Sequence, residues 1–313
     1  MSIERFIHSV GRSALLALIL AMSAVNPARG FSEYGVVDKT PTSVVNQDND
    51  KSLLWKVERS GLRPSYVFAT IHSEDPRVMQ LAPVVVQAFQ LADVFAMELI
   101  PDHAALARMS AAMFITSGPD LRSLLGEEYF NKVSALVGKY GITAQALIKL
   151  KPWVVFTALT MPKPEEGIFL DVIFYGAALS DGKNIHGLET ADEQVSIFED
   201  IRLDDQVAIL KDVIDHYSTL SRINKEMVRR YTRGDLGGVA ALQDEYLATA
   251  DRRLINAFRR HTVDDRNQRI VNRIMPRIEE QNAFIAIDAG LLPGNQGVLH
   301  LLRERGYRIS PVY

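Results

Sequence analysis

Of 313 residues, 47% are apolar, 23% charged and 8% aromatic, the make-up of an ordinary folded chain, which excludes long disorder, a collagen-like repeat and a coiled-coil rod. The length suits one large domain or two small ones. No cysteine occurs, which removes disulfides, thiolate zinc sites, iron–sulfur clusters and cysteine nucleophiles, and a formal charge of −3 argues against a general nucleic-acid binder.

Residues 1–30 read as a secretory signal. Arg5 and Arg12 form a basic start, Ser13–Val25 carries the apolar run ALLALILAMSAV, and Ala28-Arg29-Gly30 places small residues before a cleavage point at Phe31. The run is short for a membrane span, and the alternative is an uncleaved anchor, the one membrane contact the sequence suggests. Cleavage would leave 32 basic and 37 acidic side chains, a net of −5. The expected location is therefore secreted or periplasmic. Residues 31–51 are polar, without periodicity, and read as a flexible leader.

Leu53–Val57 and Tyr66–Ile71 read as strands around the turn Ser60–Pro64. Leu81–Leu91 reads as a helix, and Asp93–Leu99 as a strand apolar on both faces, the mark of a parallel, doubly covered strand. From Asp102 to about Gln281 the pattern is mostly helical, with Asn184–His186 a short strand inside it. The end returns to strand Ala283–Asp288, turn Gly290–Gly297, helix Val298–Arg305 and strand Tyr307–Ser310. These elements predict an α/β fold, with a mixed sheet built from N- and C-terminal β/α segments and a large helical insertion between them.

Such a sheet gathers chemistry at one edge. His72 follows the strand Tyr66–Ile71, and Glu98 lies near the end of Asp93–Leu99. If those strands are parallel neighbours, both side chains emerge at the carboxyl edge, where open α/β sheets bind ligands. Glu98, between Met97 and Leu99, is a costly carboxylate to bury unless a metal, an arginine or a shared proton pairs it. Asp288, ending the strand Ala283–Asp288, belongs at the same edge. The bland alternative is a turn-capping His72 and a Glu98 held by a structural arginine. Arg266, Arg269, Arg273 and Arg277 run beside Ile270, Ile274 and Ile278, as the solvated flank of an amphipathic helix does. His103, His186, His216 and His261 show no ligand spacing.

Phe68-Ala69-Thr70-Ile71-His72 followed by Ala92-Asp93-Val94-Phe95-Ala96-Met97-Glu98-Leu99 resembles the opening of TraB/GumN-like proteins, a group that includes the animal Tiki proteases. Lys151-Pro152-Trp153, Gly187-Leu188-Glu189-Thr190, Arg266-Asn267 and Ala286–Val298 continue the similarity. The resemblance implies a mixed α/β domain over 52–313 with two related halves, each with a strand and a Gly-x-x-His turn. It further implies metal-dependent peptide hydrolysis in the Tiki branch, and family positions for Glu189 and Arg266, here read as substrate-binding, the alternatives being a turn-capping Glu189 and an Arg266 that partners Glu98.

The sequence departs from that pattern where it matters. Ala69 stands for the first glycine. The second motif reads Asp288-Ala289-Gly290-Leu291, so leucine, with no lone pair, replaces the second histidine, and loss of one of few ligands greatly weakens a metal site. Asp288 is the candidate substitute ligand beside His72 and Glu98, for one divalent ion at most. His300 lies on the outer face of a helix. The expectation is an exported relative that binds a peptide or cell-envelope component, non-catalytic or weakly metal-binding. The alternative is a metal-dependent peptide hydrolase using His72 and Glu98 as its catalytic pair.

Overall fold

A computed structural model of the chain describes residues 51–161, 169–247 and 265–313. The expected signal, nearly all of the expected leader, and His261 lie outside the described residues. The chain divides into two compact units.

One unit contains residues 51–100, 169–190, 225–247 and 265–313 of the described chain and holds the sheet. Its strands are β1 (Leu54–Glu58), β2 (Ser65–Thr70), β3 (Val94–Met97), β4 (Asn184–Gly187), β5 (Ala283–Asp288) and β6 (Arg308–Pro311). Their order is β4-β3-β5-β2-β1-β6. β4, β3, β5 and β2 run parallel, while β1 is antiparallel to both β2 and β6. The fold is therefore α/β with a mixed sheet assembled from the two ends of the chain. β2 and β3 are not neighbours as the sequence suggested, because β5 lies between them. Both still run parallel to β5, so their carboxyl ends meet at one edge.

The central strands read as unbroken apolar runs because both their faces are covered. β3 is buried throughout, and β5 at every residue but Asp288. Phe95 and Phe284 are register partners, and Phe174 from the Leu170–Ser180 helix packs 5.0 Å from Phe284. Phe68 and Phe89 complete this aromatic cluster. Burying each such ring stabilises the fold by roughly 1.5–3 kcal/mol. The Asp265–Glu280 helix contacts β5 and buries Ile270, Ile274 and Ile278 at helical spacing. The β1–β2 turn passes through Gly61 at φ +83°, a conformation that favours glycine.

The other unit contains residues 101–161 and 191–224 of the described chain and is helical. Three of its helices start on side-chain caps: Asp102, Asp120 and Thr143 each accept a backbone N–H from the first turn. Phe130, Val133 and Val137 form the buried stripe of the Glu127–Val137 helix, and Trp153 stacks on Phe198 at 5.0 Å. The helical stretch is thus interrupted: the Leu170–Ser180 helix and β4 belong to the sheet unit.

Candidate functional site

The four parallel strands deliver their carboxyl ends to one edge. Thr70 of β2 pairs with Asp288 of β5, and Met97 of β3 pairs with Ala286 of β5 and Gly187 of β4. One or two residues further on come His72, Glu98 and Glu189. Glu189 is carried there by its own backbone, whose N–H donates to the Glu98 carbonyl at 2.7 Å.

Arg266, in the first turn of the Asp265–Glu280 helix, closes the group. Its Nε donates to Glu189 Oε1 at 2.9 Å and Oε2 at 3.0 Å, and its Nη2 to Glu189 Oε2 at 2.7 Å. The same Nη2 donates to Glu98 Oε2. A cation in a first helical turn opposes the helix dipole, and two carboxylates offset that penalty. Of the two roles open to this arginine, partner of Glu98 or of a substrate carboxylate, the structure shows the first, with Glu189, fully buried, as a second partner. Glu98 Oε1 accepts the Asp288 N–H at 2.7 Å, and Asp288 Oδ1 accepts the Gly290 N–H at 2.8 Å.

These carboxyls do not titrate alike. Burial works to raise Glu98, but the adjacent Arg266 guanidinium, the Asp288 N–H and His72 outweigh it and hold the group below the usual carboxylate range. Asp288 has no such cation in contact: burial first, and then the charge of Glu98, push it up to about 6. Burial works to lower Arg266, yet its two glutamates hold it above the ordinary arginine value.

Two residues at the edge were not singled out in the sequence. Asp171, in the first turn of the Leu170–Ser180 helix, is buried and accepts a hydrogen bond from Thr70 Oγ1 at 2.8 Å on Oδ1. Its Oδ2 is buried with no hydrogen-bond partner among the described residues. Burial raises its carboxyl, and the charges of His72 and Glu98 both act on it. The signal available was a lone acid in the apolar run LDVIFYGAAL. Phe169 packs edge-on to the His72 ring at 5.6 Å.

Two further histidines have acidic neighbours of their own. His300 pairs with Glu304 on its own helix, and His216 sits at the end of the Leu203–Asp215 helix beside Asp212.

The family model described as the TraB/PrgY/gumN family matches residues 53–311. The chain belongs to the TraB/PrgY/gumN family. Relatives include Metalloprotease TIKI2 of Danio rerio, 23% identical over 321 residues, covering 85% of this chain and 62% of the relative. Metalloprotease TIKI1 of Danio rerio is 23% identical over 356 residues, with 96% and 70% covered. Metalloprotease TIKI1 of Homo sapiens is 22% identical over 319 residues, with 84% and 62% covered. The match thus spans about three-fifths of the length of two of these relatives. No solved structure gives a significant match.

The family relation raises the question of a metal, and the residues of this TraB/PrgY/gumN protein do not fit one as they are arranged. Among the described residues no three His, Asp or Glu side chains are grouped to hold an ion. Both oxygens of Glu98 already accept hydrogen bonds, from Arg266 and from Asp288 N–H. Leu291, where the motif calls for histidine, is buried and offers no lone pair. Asp288 keeps one oxygen on Gly290. Ligand sets require the right number and geometry of donors, not proximity alone.

Proposed function

We propose that this TraB/PrgY/gumN protein is exported and binds a peptide or cell-envelope component without cleaving it, holding a divalent metal weakly at most. The observation that carries the reading is the commitment of both Glu98 oxygens to internal donors beside a buried Leu291. A carboxylate so engaged is a poor metal ligand, and no second imidazole follows at Leu291. The edge keeps a part-exposed His72 and a surplus of carboxyl groups, suited to polar recognition.

A second reading, a metal-dependent peptide hydrolase using His72 and Glu98, is favoured by the relatives named above, which are metalloproteases, and by both residues standing on the same edge.

Calorimetric titration with zinc, manganese and cobalt separates the two. The unmodified chain and His72→Ala should bind weakly or not at all. Leu291→His combined with Asp288→Gly should gain stoichiometric binding, since it restores an imidazole and the freer backbone of glycine at that turn. Leu291→His alone should gain less. Tight stoichiometric binding by the unmodified chain, lost in His72→Ala, would favour the hydrolase.

A further inference from the structure

We propose that Asp171 is the anchor for a primary ammonium group, a lysine side chain or an amino terminus, entering the sheet edge past His72. This rests on the peptide-binding reading above and names the chemistry that the site would select.

The starting observation is an unpaired oxygen. Asp171 is nine-tenths buried, Thr70 occupies its Oδ1, and its Oδ2 faces no donor among the described residues. A buried acceptor without a donor costs stability, a buried carboxylate more so, and native chains retain few of them. Among the described residues Glu98 and Glu189 share the charge of Arg266, while Asp171 keeps one oxygen on the neutral hydroxyl of Thr70 and forms no ion pair. The carboxyl of Asp171 is thus without a cation among the described residues, and the partner it lacks is a donor that brings positive charge.

The surroundings narrow the cation further. His72 and Phe169 set two rings edge-to-face beside Asp171, one helix turn or less from it in sequence on the Phe169 side. Aromatic walls tolerate an alkyl stem and attract a cation. A guanidinium is a planar fork that seeks two oxygens side by side, and Thr70 already holds one oxygen of this carboxylate. An ammonium is compact, needs a single close acceptor, and rides on an unbranched stem that can reach inward from a part-exposed entrance. His72 itself is part-exposed, which puts the solvent-facing side of the edge at its ring.

The test uses the chain from Phe31 onward and four capped tripeptides in calorimetry. N-acetyl-Ala-Lys-Ala-amide offers only a side-chain ammonium, and Ala-Ala-Ala-amide only an amino terminus. The Nε-acetyl-lysine and glutamate versions of the first offer neither. One of the first two should bind at least tenfold tighter than the last two, and which one it is identifies the source of the ammonium. Asp171→Asn should abolish that preference while raising the thermal midpoint by a few degrees, because the isosteric amide keeps the Thr70 contact and removes an unpaired acid. Equal binding of all four peptides would overturn the ammonium assignment and leave the peptide reading standing. No binding of any peptide at millimolar concentration would overturn both. A lowered midpoint in Asp171→Asn would make Asp171 a structural group and overturn the assignment whatever the peptides do.

Discussion

Glu98 and Asp288 share a backbone contact yet respond to acid in opposite directions. Glu98 is held below its ordinary value, so its contribution to stability is present above the normal carboxylate range and is lost as pH falls through its folded value. Asp288 is raised to about 6. Well below pH ~4 it is protonated in both folded and unfolded chains; as pH climbs from there to 6 the unfolded chain releases its proton first, and folding is increasingly penalised. Asp288→Asn keeps an oxygen for the Gly290 N–H and removes that penalty. Urea midpoints should coincide for the two proteins at pH 4 and diverge by pH 8, the variant being more stable by roughly 1–3 kcal/mol. An unchanged difference across that range would mean that Asp288 is ionised throughout. At this scale the sequence marked His72, Glu98 and Asp288, because charged residues at the ends of apolar strands stand out, while Glu189 and Arg266 were marked only by the family resemblance. It could not say that Arg266 serves two glutamates at once, since Glu189 and Arg266 are brought together only by the fold. Asp171 was missed because one acid in a helical run looks like a solvated position until its burial is known.

The turn after β5 shows how an element can be fixed by residues that never touch a ligand. Asn267, fully buried, donates through Nδ2 to the carbonyls of Gln296 at 2.8 Å and Leu291 at 3.1 Å, tying residues 291–296 to the Asp265–Glu280 helix. Gly297 closes the loop with no room for a side chain: a Cβ there would stand 2.2 Å from the Pro293 carbonyl oxygen and 2.3 Å from that of Leu292. Both neighbours are backbone, so neither can swing aside. Gly297→Ala should therefore cost about 2–4 kcal/mol, as overpacking and backbone displacement do, and should move the Asp288–Leu291 segment with it. A denaturant midpoint within error of the parent would show that the loop yields freely. The segment was legible as a turn from its Gly and Pro content, whereas the short 3-10 turn Ala289–Leu291 inside it was not. β4 was legible only as a short candidate strand for a related reason. It lies at the sheet's margin with no fully buried residue, so it lacks the apolar run that announced β3 and β5.

For the molecule as a whole, the sheet is closed by its two ends, with β5 from the C-terminal part inserted between β2 and β3 and β6 laid on β1. The sequence could announce this pairing across nearly 190 residues because both partners are apolar on both faces and have no other way to be covered. It could not give the strand order, which depends on crossovers that periodicity does not record. Among the described residues every strand lies at or beyond Leu54, and the family match begins at residue 53. Among the described residues no helix is long and apolar enough to cross a membrane, which leaves the segment Ser13–Val25 as the one stretch of the sequence proposed to meet a bilayer. If it is a signal, the mature chain starts at Phe31, because the apolar run ends just upstream and Ala28 and Gly30 supply the small residues that cleavage needs. N-terminal sequencing of protein recovered from outside the cytoplasm should read Phe31-Ser32-Glu33. A chain expressed from Phe31 should unfold at the same midpoint as the recovered protein. Recovery of an intact Met1 in the membrane fraction would replace export of a free protein by anchoring.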